Sequence, residues 1–100
     1  MTDVSIILAP HAALKHRAQG DVLVLPEQAI RLGGSGAEIL RLCGERRTSQ
    51  ELVTILRARY PDAEGLEGEV TRFVDEMLSL GGLVRIDPGE REPRDRGNIR

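Results

Sequence analysis

Two short apolar runs on either side of Pro26 constrain the fold more than any other feature of this chain. Val22–Leu25 is entirely apolar, and Gln28–Leu32 alternates, with Ile30 and Leu32 on one face of the predicted strand and Ala29 and Arg31 on the other. Such runs are typical of β-strands, and the alternation indicates a half-buried one. An earlier strand at Leu14–Ala18, followed by a turn at Gln19–Asp21, would complete the set. The sequence therefore predicts a three-stranded antiparallel meander.

Two helix starts follow the meander with the same chemistry. Ser35 with Glu38, and Thr48 with Glu51, each form the Ser/Thr-x-x-Glu pattern of a capping box, and apolar residues at helical spacing follow both. The first helix is predicted to stop at Gly44. Only the four residues GERR separate it from the second cap. This short connection favours a helix-turn-helix corner.

A third helix is predicted from a stripe of apolar residues that recur every three or four positions. Its members are Leu66, Val70, Phe73, Val74, Met77 and Leu78. Gly81 or Gly82 would end this helix, and Leu83–Ile86 is apolar enough for a short last strand. The predicted fold class is α+β: a small winged-helix-like domain in which the meander precedes a three-helix bundle.

This domain is predicted to span residues 14–86, with a flanking segment at each end. Residues 1–13 are expected to be an arm, whose apolar run Val4–Ala9 is too short for a signal peptide or a membrane span. The arm could dock on its own sheet or on a neighbour's, so the chain is predicted to be a monomer or an exchanged dimer. Residues 87–100 alternate charges, prolines and glycines, which predicts a disordered tail.

Composition argues against several classes of function. One hundred residues make a single small domain, and Tyr60 and Phe73 are its only aromatic residues, too few for a base-stacking surface. Cys43 is the only cysteine, which suits a reducing compartment and predicts a cytoplasmic protein. His11 and His16 lack metal-ligand spacing. We therefore expect no catalytic residues, no metal, no cofactor and no membrane partner.

A DNA-binding winged-helix regulator is the alternative function. The formal net charge is −2, and residues 62–80 carry six acids against one base, Arg72. Phosphates would repel a third helix of this charge, so no nucleic-acid partner is expected. The alternative depends on four arginines on or near the second helix, Arg46, Arg47, Arg57 and Arg59.

A three-stranded meander has two edges, and an edge with unpaired N–H and C=O groups invites another strand. When such an edge lies beside a helix with apolar residues, an extended peptide can add to the sheet. Backbone hydrogen bonds then supply affinity, and alternate side chains supply selection. A small domain can bind a peptide in this way without an internal cavity.

The sequence also resembles a known family. The stretch VLVLPEQAIRLGGSGAEILRLCGERRTSQELVTILRARY, followed by EVTRFVDEMLSLGGLV, is similar to the pyrroloquinoline quinone biosynthesis protein D family, PqqD. The resemblance covers about Leu14–Ile86. It departs from the family pattern at Gly33 and Gly34, where members commonly have Asn or Asp, and at Cys43, where members often have an acid.

The resemblance implies a peptide-binding module of the type called a RiPP recognition element. Members resemble non-catalytic chaperones that bind the precursor peptide PqqA and present it to the radical SAM enzyme PqqE, which cross-links a Glu and a Tyr within it. The leader of the precursor would lie as an added strand between the third strand and the third helix. Carried onto this chain, the groove comprises Gln28, Ala29, Ile30, Arg31 and Leu32, facing Val70, Phe73, Val74 and Met77. Phe73 and Met77 are expected to be partly exposed to it.

Overall fold

The computed structural model describes residues 5–86, which form six strands and three helices. In chain order the elements are β1 (Ser5–Leu8), β2 (Ala13–Arg17), β3 (Gly20–Val24), β4 (Ala29–Arg31), α1 (Gly36–Leu42), β5 (Arg47–Thr48), α2 (Ser49–Arg59), α3 (Leu66–Leu80) and β6 (Leu83–Ile86). The predicted α+β class, with a meander followed by three helices, is confirmed. Residues 1–4 and the predicted tail, 87–100, lie outside the described residues.

The meander has the order β2-β3-β4, and both of its pairings are antiparallel. The first turn lies at Ala18–Gln19, ahead of the predicted position, because Gly20 already pairs with Arg17 as part of β3. Gly20 has a φ of +128°, a conformation that glycine adopts most readily. The second turn, Pro26–Glu27, is closed by Leu25 and Gln28, whose N–H groups donate to each other's carbonyl at 2.8 and 3.4 Å.

A second three-stranded sheet, of order β5-β1-β6, was not predicted. The sequence predicts an arm at residues 1–13, but β1 is the central strand of this sheet and pairs with β6 from Ser5↔Ile86 to Leu8↔Leu83. Ile6 and Ile7 are 2% and 1% exposed, although neighbouring strand residues point to opposite faces. Protein therefore covers both faces of β1, and Ile6 belongs to the apolar core that the meander and the helices share.

The two predicted capping boxes differ in outcome. At α2 the box is confirmed, because Thr48 Oγ1 accepts from the Glu51 N–H at 3.1 Å and Glu51 Oε1 accepts from the Thr48 N–H at 3.0 Å. At α1 it is wrong, since the Ser35 side chain makes no capping hydrogen bond. Glu38, the expected partner, binds residues at the end of α2 instead.

The third helix ends at Gly81, the first of the two glycines that the sequence offers for this turn. Gly81 has a φ of +88°, its N–H donates to the Leu78 carbonyl, and the Gly82 N–H reaches back to the Met77 carbonyl. These two bonds form the Schellman arrangement, which satisfies carbonyls that the helix end leaves free. The turn returns the chain directly into β6, so α3 packs against both α2 and β6.

One apolar core joins the meander, the helices and the second sheet. Its most buried side chains come from the meander and from all three helices, with Leu23 of β3, Leu40 of α1, Leu52 and Leu56 of α2, and Val70 of α3 all at 0% exposure. The second sheet adds Ile6 and Leu83, at 2% and 1%. Fully burying one such side chain stabilises the fold by about 1.5–3 kcal/mol. The core therefore fixes the meander relative to α3, the two elements between which the predicted groove lies.

Candidate functional site

The backbone groups of β4 point alternately toward β3 and away from it. Leu25 and Gln28 exchange both of their hydrogen bonds, and the Leu32 N–H donates to the Asp21 carbonyl at 2.9 Å. Hydrogen-bonded pairs alternate with non-hydrogen-bonded ones in an antiparallel ladder. In the observed register, Ile30 therefore forms the intervening hydrogen-bonded pair, with Leu23. The backbone groups of Gln28, Ile30 and Leu32 therefore point toward β3 and are bonded within the sheet.

Ala29 and Arg31 have the opposite orientation. They lie opposite Val24 and Val22 at the non-hydrogen-bonded positions, so their N–H and C=O groups face away from β3. Within residues 5–86, no strand pairs with that side of β4. The edge therefore offers two donors and two acceptors to an incoming strand.

The inner side of this edge carries partly buried apolar side chains. Ile30, Leu32 and Phe73 all pack against the core without being fully covered by it. A Cβ added at Gly36 would lie 3.0 and 3.2 Å from two carbons of the Phe73 ring and 3.8 Å from Leu32 Cδ2. The absence of a side chain at Gly36 thus lets the Phe73 ring lie beside the end of β4, which brings α3 to this edge.

Of the four α3 residues predicted to line the groove, three are buried in the core and one is partly exposed. Val70, Val74 and Met77 are 0%, 4% and 2% exposed, so they are core residues, and the expected partial exposure of Met77 is wrong. Met77 is instead covered by the turn into β6, with its sulfur 3.6 Å from the position of a Gly82 Cβ. Phe73 is half-buried, as expected.

Leu80 was missing from the predicted site. It is 38% exposed and lies seven residues, nearly two helical turns, after Phe73. The two side chains therefore share one face of α3, and their spacing in the sequence was the signal for this. Leu80 extends the apolar surface of the helix beyond Phe73.

The other edge of the meander, on β2, is better protected than β4. Lys15, His16 and Arg17 are exposed along it, and charged side chains on an edge strand discourage pairing. His16 Nδ1 lies 2.6 Å from Asp21 Oδ1, and Arg41 of α1 donates to Asp21 Oδ2 at 3.3 Å. These contacts connect β2 and β3 to α1, so β4 is the more accessible edge.

A polar cluster joins the beginning of α1 to the end of α2. The Tyr60 hydroxyl donates to Glu38 Oε1 at 2.7 Å, and the Arg59 guanidinium donates to Glu38 Oε2. The Tyr60 hydrogen bond and, next, the Arg59 hydrogen bond lower the pKa of Glu38, while the same carboxylate raises the pKa of Tyr60. Glu38 is therefore an ionised anchor that holds α1, and with it the loop after β4, against α2.

The described residues give little support for a metal site or for a catalytic nucleophile. Residues 5–86 contain no group of three or more His, Cys, Asp or Glu placed to hold a metal ion. Burial raises the pKa of the Cys43 thiol to about 12, so the reactive thiolate is scarce at neutral pH. None of the helices in this range is both long enough and apolar enough to span a bilayer.

Comparison with known proteins identifies the family of this chain. The family model described as Coenzyme PQQ synthesis protein D (PqqD) matches residues 20–83, which run from β3 into β6. The chain belongs to the PqqD family. The match includes β3, β4 and all three helices, and therefore every residue of the candidate groove.

Two curated relatives from this family are named PqqA binding protein. The protein from Stutzerimonas stutzeri is 39% identical over 54 residues, 54% of this chain and 59% of the relative. The protein from Acinetobacter baylyi is 31% identical over 61 residues, 61% of this chain and 62% of the relative. The chain thus spans less than two-thirds of the length of these relatives.

A solved structure shares the PqqD fold. It is the solution NMR structure of the PqqD truncation of Methylobacterium extorquens PqqCD, described as a stand-alone RiPP recognition element. It superimposes with a TM-score of 0.69 at 20% identity and covers 81% of this chain and 89% of the solved one. At this identity the likeness establishes the fold.

Proposed function

We propose that this PqqD-family chain binds the precursor peptide PqqA as an added strand on β4, with α3 as the other wall of the groove. The observation that carries the proposal is the outward direction of the Ala29 and Arg31 backbone groups, beside the partly buried Ile30, Leu32 and Phe73. Membership of the PqqD family and the PqqA-binding relatives support the choice of peptide.

The energetics require both backbone and side-chain contacts. Four backbone hydrogen bonds to Ala29 and Arg31 contribute about 2–6 kcal/mol at 0.5–1.5 each. A micromolar complex needs roughly 8 kcal/mol. Apolar side chains of the peptide must therefore supply the remainder by covering Ile30, Leu32 and Phe73. Since strand side chains alternate, every second residue of the bound segment meets this apolar surface.

The proposed role is to hold PqqA and present it to the radical SAM enzyme PqqE, without catalysis by this chain. Binding the leader on β4 fixes one part of the peptide in an extended form and leaves the rest accessible. The gain is an increased effective concentration of substrate at the partner enzyme. The single, buried Cys43 suits a reducing compartment, and we place this step in the cytoplasm.

A titration of isotope-labelled protein with PqqA, followed by NMR, tests the binding mode. We expect the amide signals of residues 28–32 and of the Phe73 face of α3 to shift. The amides of Ala29 and Arg31 should also become slower to exchange with solvent, because only these two gain an acceptor from the peptide. Shifts confined to β2 or to the β5-β1-β6 sheet would contradict strand addition at β4.

The DNA-binding alternative loses support in the structure. Arg47 Nε donates to the Leu42 carbonyl at 3.1 Å, and Arg59 is paired with Glu38, so two of the four arginines near α2 are used inside the domain. The acidic first turn of α3, with Glu67 and Glu69, would repel phosphates. We expect no shift of duplex DNA on a gel at low salt, and salt-sensitive binding would restore the alternative.

A further inference from the structure

A pocket continues the groove beyond the end of β4. It has a volume of roughly 260 Å³, and its walls are Gly34, Ser35, Tyr60, Ala63, Leu66 and Glu69. Gly34 and Ser35 follow β4 almost directly, and Glu69 lies one helical turn before Phe73. A peptide strand that leaves β4 past Leu32 would therefore pass the mouth of this pocket.

Glu69 carries the one charge among the six wall residues of the pocket. Leu66 is buried at 5% exposure, and Tyr60, although 47% exposed, uses its hydroxyl to bind Glu38, which leaves its ring as a wall. Glu38 is itself neutralised by Arg59. Within residues 5–86, the Glu69 carboxylate has neither a hydrogen bond nor an ion pair. The pocket thus combines an apolar floor with one carboxylate that no side chain of the described residues pairs.

We propose that this pocket, which we call the Glu69 pocket, takes a lysine or arginine side chain of the bound peptide. The inference rests on the proposed function. The methylene stem would lie along Leu66 and Ala63, as long basic side chains do on apolar surfaces, and the cation would meet Glu69. The Tyr60 ring adds a favourable surface for the same cation.

The size and charge of the pocket argue for this occupant over others. Small-molecule sites usually measure roughly 300–1,000 Å³, so the Glu69 pocket is suited to one long side chain. An acidic side chain would be repelled by Glu69, and an apolar one would remove water from the carboxylate without replacing it. The basic residue should stand a few positions beyond the peptide residue that pairs with Arg31.

Glu69 also has an ordinary structural role, and the experiment must distinguish that role from contact with the peptide. Acids in the first turn of a helix interact favourably with its dipole, and α3 has two of them, Glu67 and Glu69. Glu67 lies on the opposite side of the helix, away from the Glu69 pocket. Glu67→Gln is therefore a matched control, because it removes the same charge from the same turn.

The experiment measures PqqA affinity by calorimetry for the wild type, Glu69→Gln and Glu67→Gln. In separate synthetic peptides, each lysine is replaced by norleucine, which keeps its aliphatic stem, and each arginine by citrulline, which keeps its length. Both replacements remove the charge. We expect one replacement to weaken wild-type binding by roughly five- to tenfold, between the values for exposed and buried ion pairs. Glu69→Gln should weaken binding of unmodified PqqA by the same factor, and in this variant the peptide replacement should have no further effect. In Glu67→Gln the peptide replacement should still weaken binding by its full factor. Glu69→Lys should regain affinity for a peptide with Glu at that position.

The outcomes separate this inference from the function on which it rests. If the wild type does not bind PqqA, the proposed function and the Glu69 pocket both fail. If PqqA binds to β4 but none of its basic residues is coupled to Glu69, the pocket assignment is overturned and the proposed function stands. Coupling of the same size in Glu67→Gln and in Glu69→Gln would show a general charge effect and would also overturn the assignment.

Discussion

Neighbouring residues of β4 differ in what their backbones can do, although they share one short strand. The N–H of Ile30 is used inside the meander, whereas the N–H of Arg31 faces away from β3. Proline is tolerated on an edge strand when the missing N–H faces outward. Substitution by proline at these two positions therefore separates peptide binding from folding.

Arg31→Pro should weaken PqqA binding by about two- to tenfold, the effect of one lost hydrogen bond, while the protein stays folded. Arg31→Ala is the control, because it removes the same side chain and keeps the N–H. Ile30→Pro should lower the thermal unfolding temperature as well, since it breaks the pairing of β3 with β4. Calorimetry and thermal unfolding measure the two effects. Equal affinity of Arg31→Pro and Arg31→Ala for PqqA would rule out a backbone contact at this residue.

The sequence predicted which side chains of β4 share a face but not which backbone groups are free. Alternation in Gln28–Leu32 placed Ile30 and Leu32 together, and both are partly buried in the structure. The direction of each N–H depends in addition on the register with β3, which the Pro26–Glu27 turn sets. A shift of one residue would have exchanged the roles of Ile30 and Arg31.

At the scale of elements, α1 and α2 begin with the same sequence pattern and only α2 uses it. The reason lies outside the local sequence, because Glu38 binds Arg59 and Tyr60, which follow it by 21 and 22 residues. Glu51 has no such competitor among residues 5–86 and closes the capping box with Thr48. A local pattern therefore predicted both helix starts, and tertiary contacts decided which cap forms.

Thr48→Ala should lower the free energy of unfolding by about 1 kcal/mol, a usual cost of removing an N-cap side chain. Ser35→Ala is the matched control and should cost only a few tenths of a kcal/mol, about the effect of an ordinary surface substitution, because the Ser35 side chain makes no capping bond. Urea denaturation measures both values. A loss at Ser35 as large as that at Thr48 would mean that the α1 box forms in solution.

For the whole molecule, the decisive contact joins the two ends of the described chain. β1 pairs along its length with β6, so the second sheet forms only when residues about eighty positions apart meet. No local pattern in Ser5–Leu8 specifies this partner, which is why the sequence suggested an arm. The apolar character of the segment was visible, but its place in the core depended on long-range pairing.

Ile7→Ala should therefore destabilise the whole domain by about 2–5 kcal/mol, the cost of truncating a buried aliphatic side chain. That is a large part of the 5–15 kcal/mol by which domains of this kind are usually stable. Ile7→Val, which removes one methyl group, should cost about 0.5–1.5 kcal/mol. Urea unfolding followed by NMR would give these values from signals of β1 and of the meander, which should disappear in one transition.

The Ile7→Ala variant also tests whether the second sheet contributes to PqqA binding or only to stability. The β5-β1-β6 sheet contributes none of the proposed groove residues, so the folded fraction of Ile7→Ala should bind PqqA as tightly as the wild type. A tenfold weaker affinity at a temperature where the variant is fully folded would show that the second sheet takes part in recognition. Loss of the β1 signals well before those of the meander would show instead that Ser5–Leu8 behaves as a separable arm, as its sequence alone suggested.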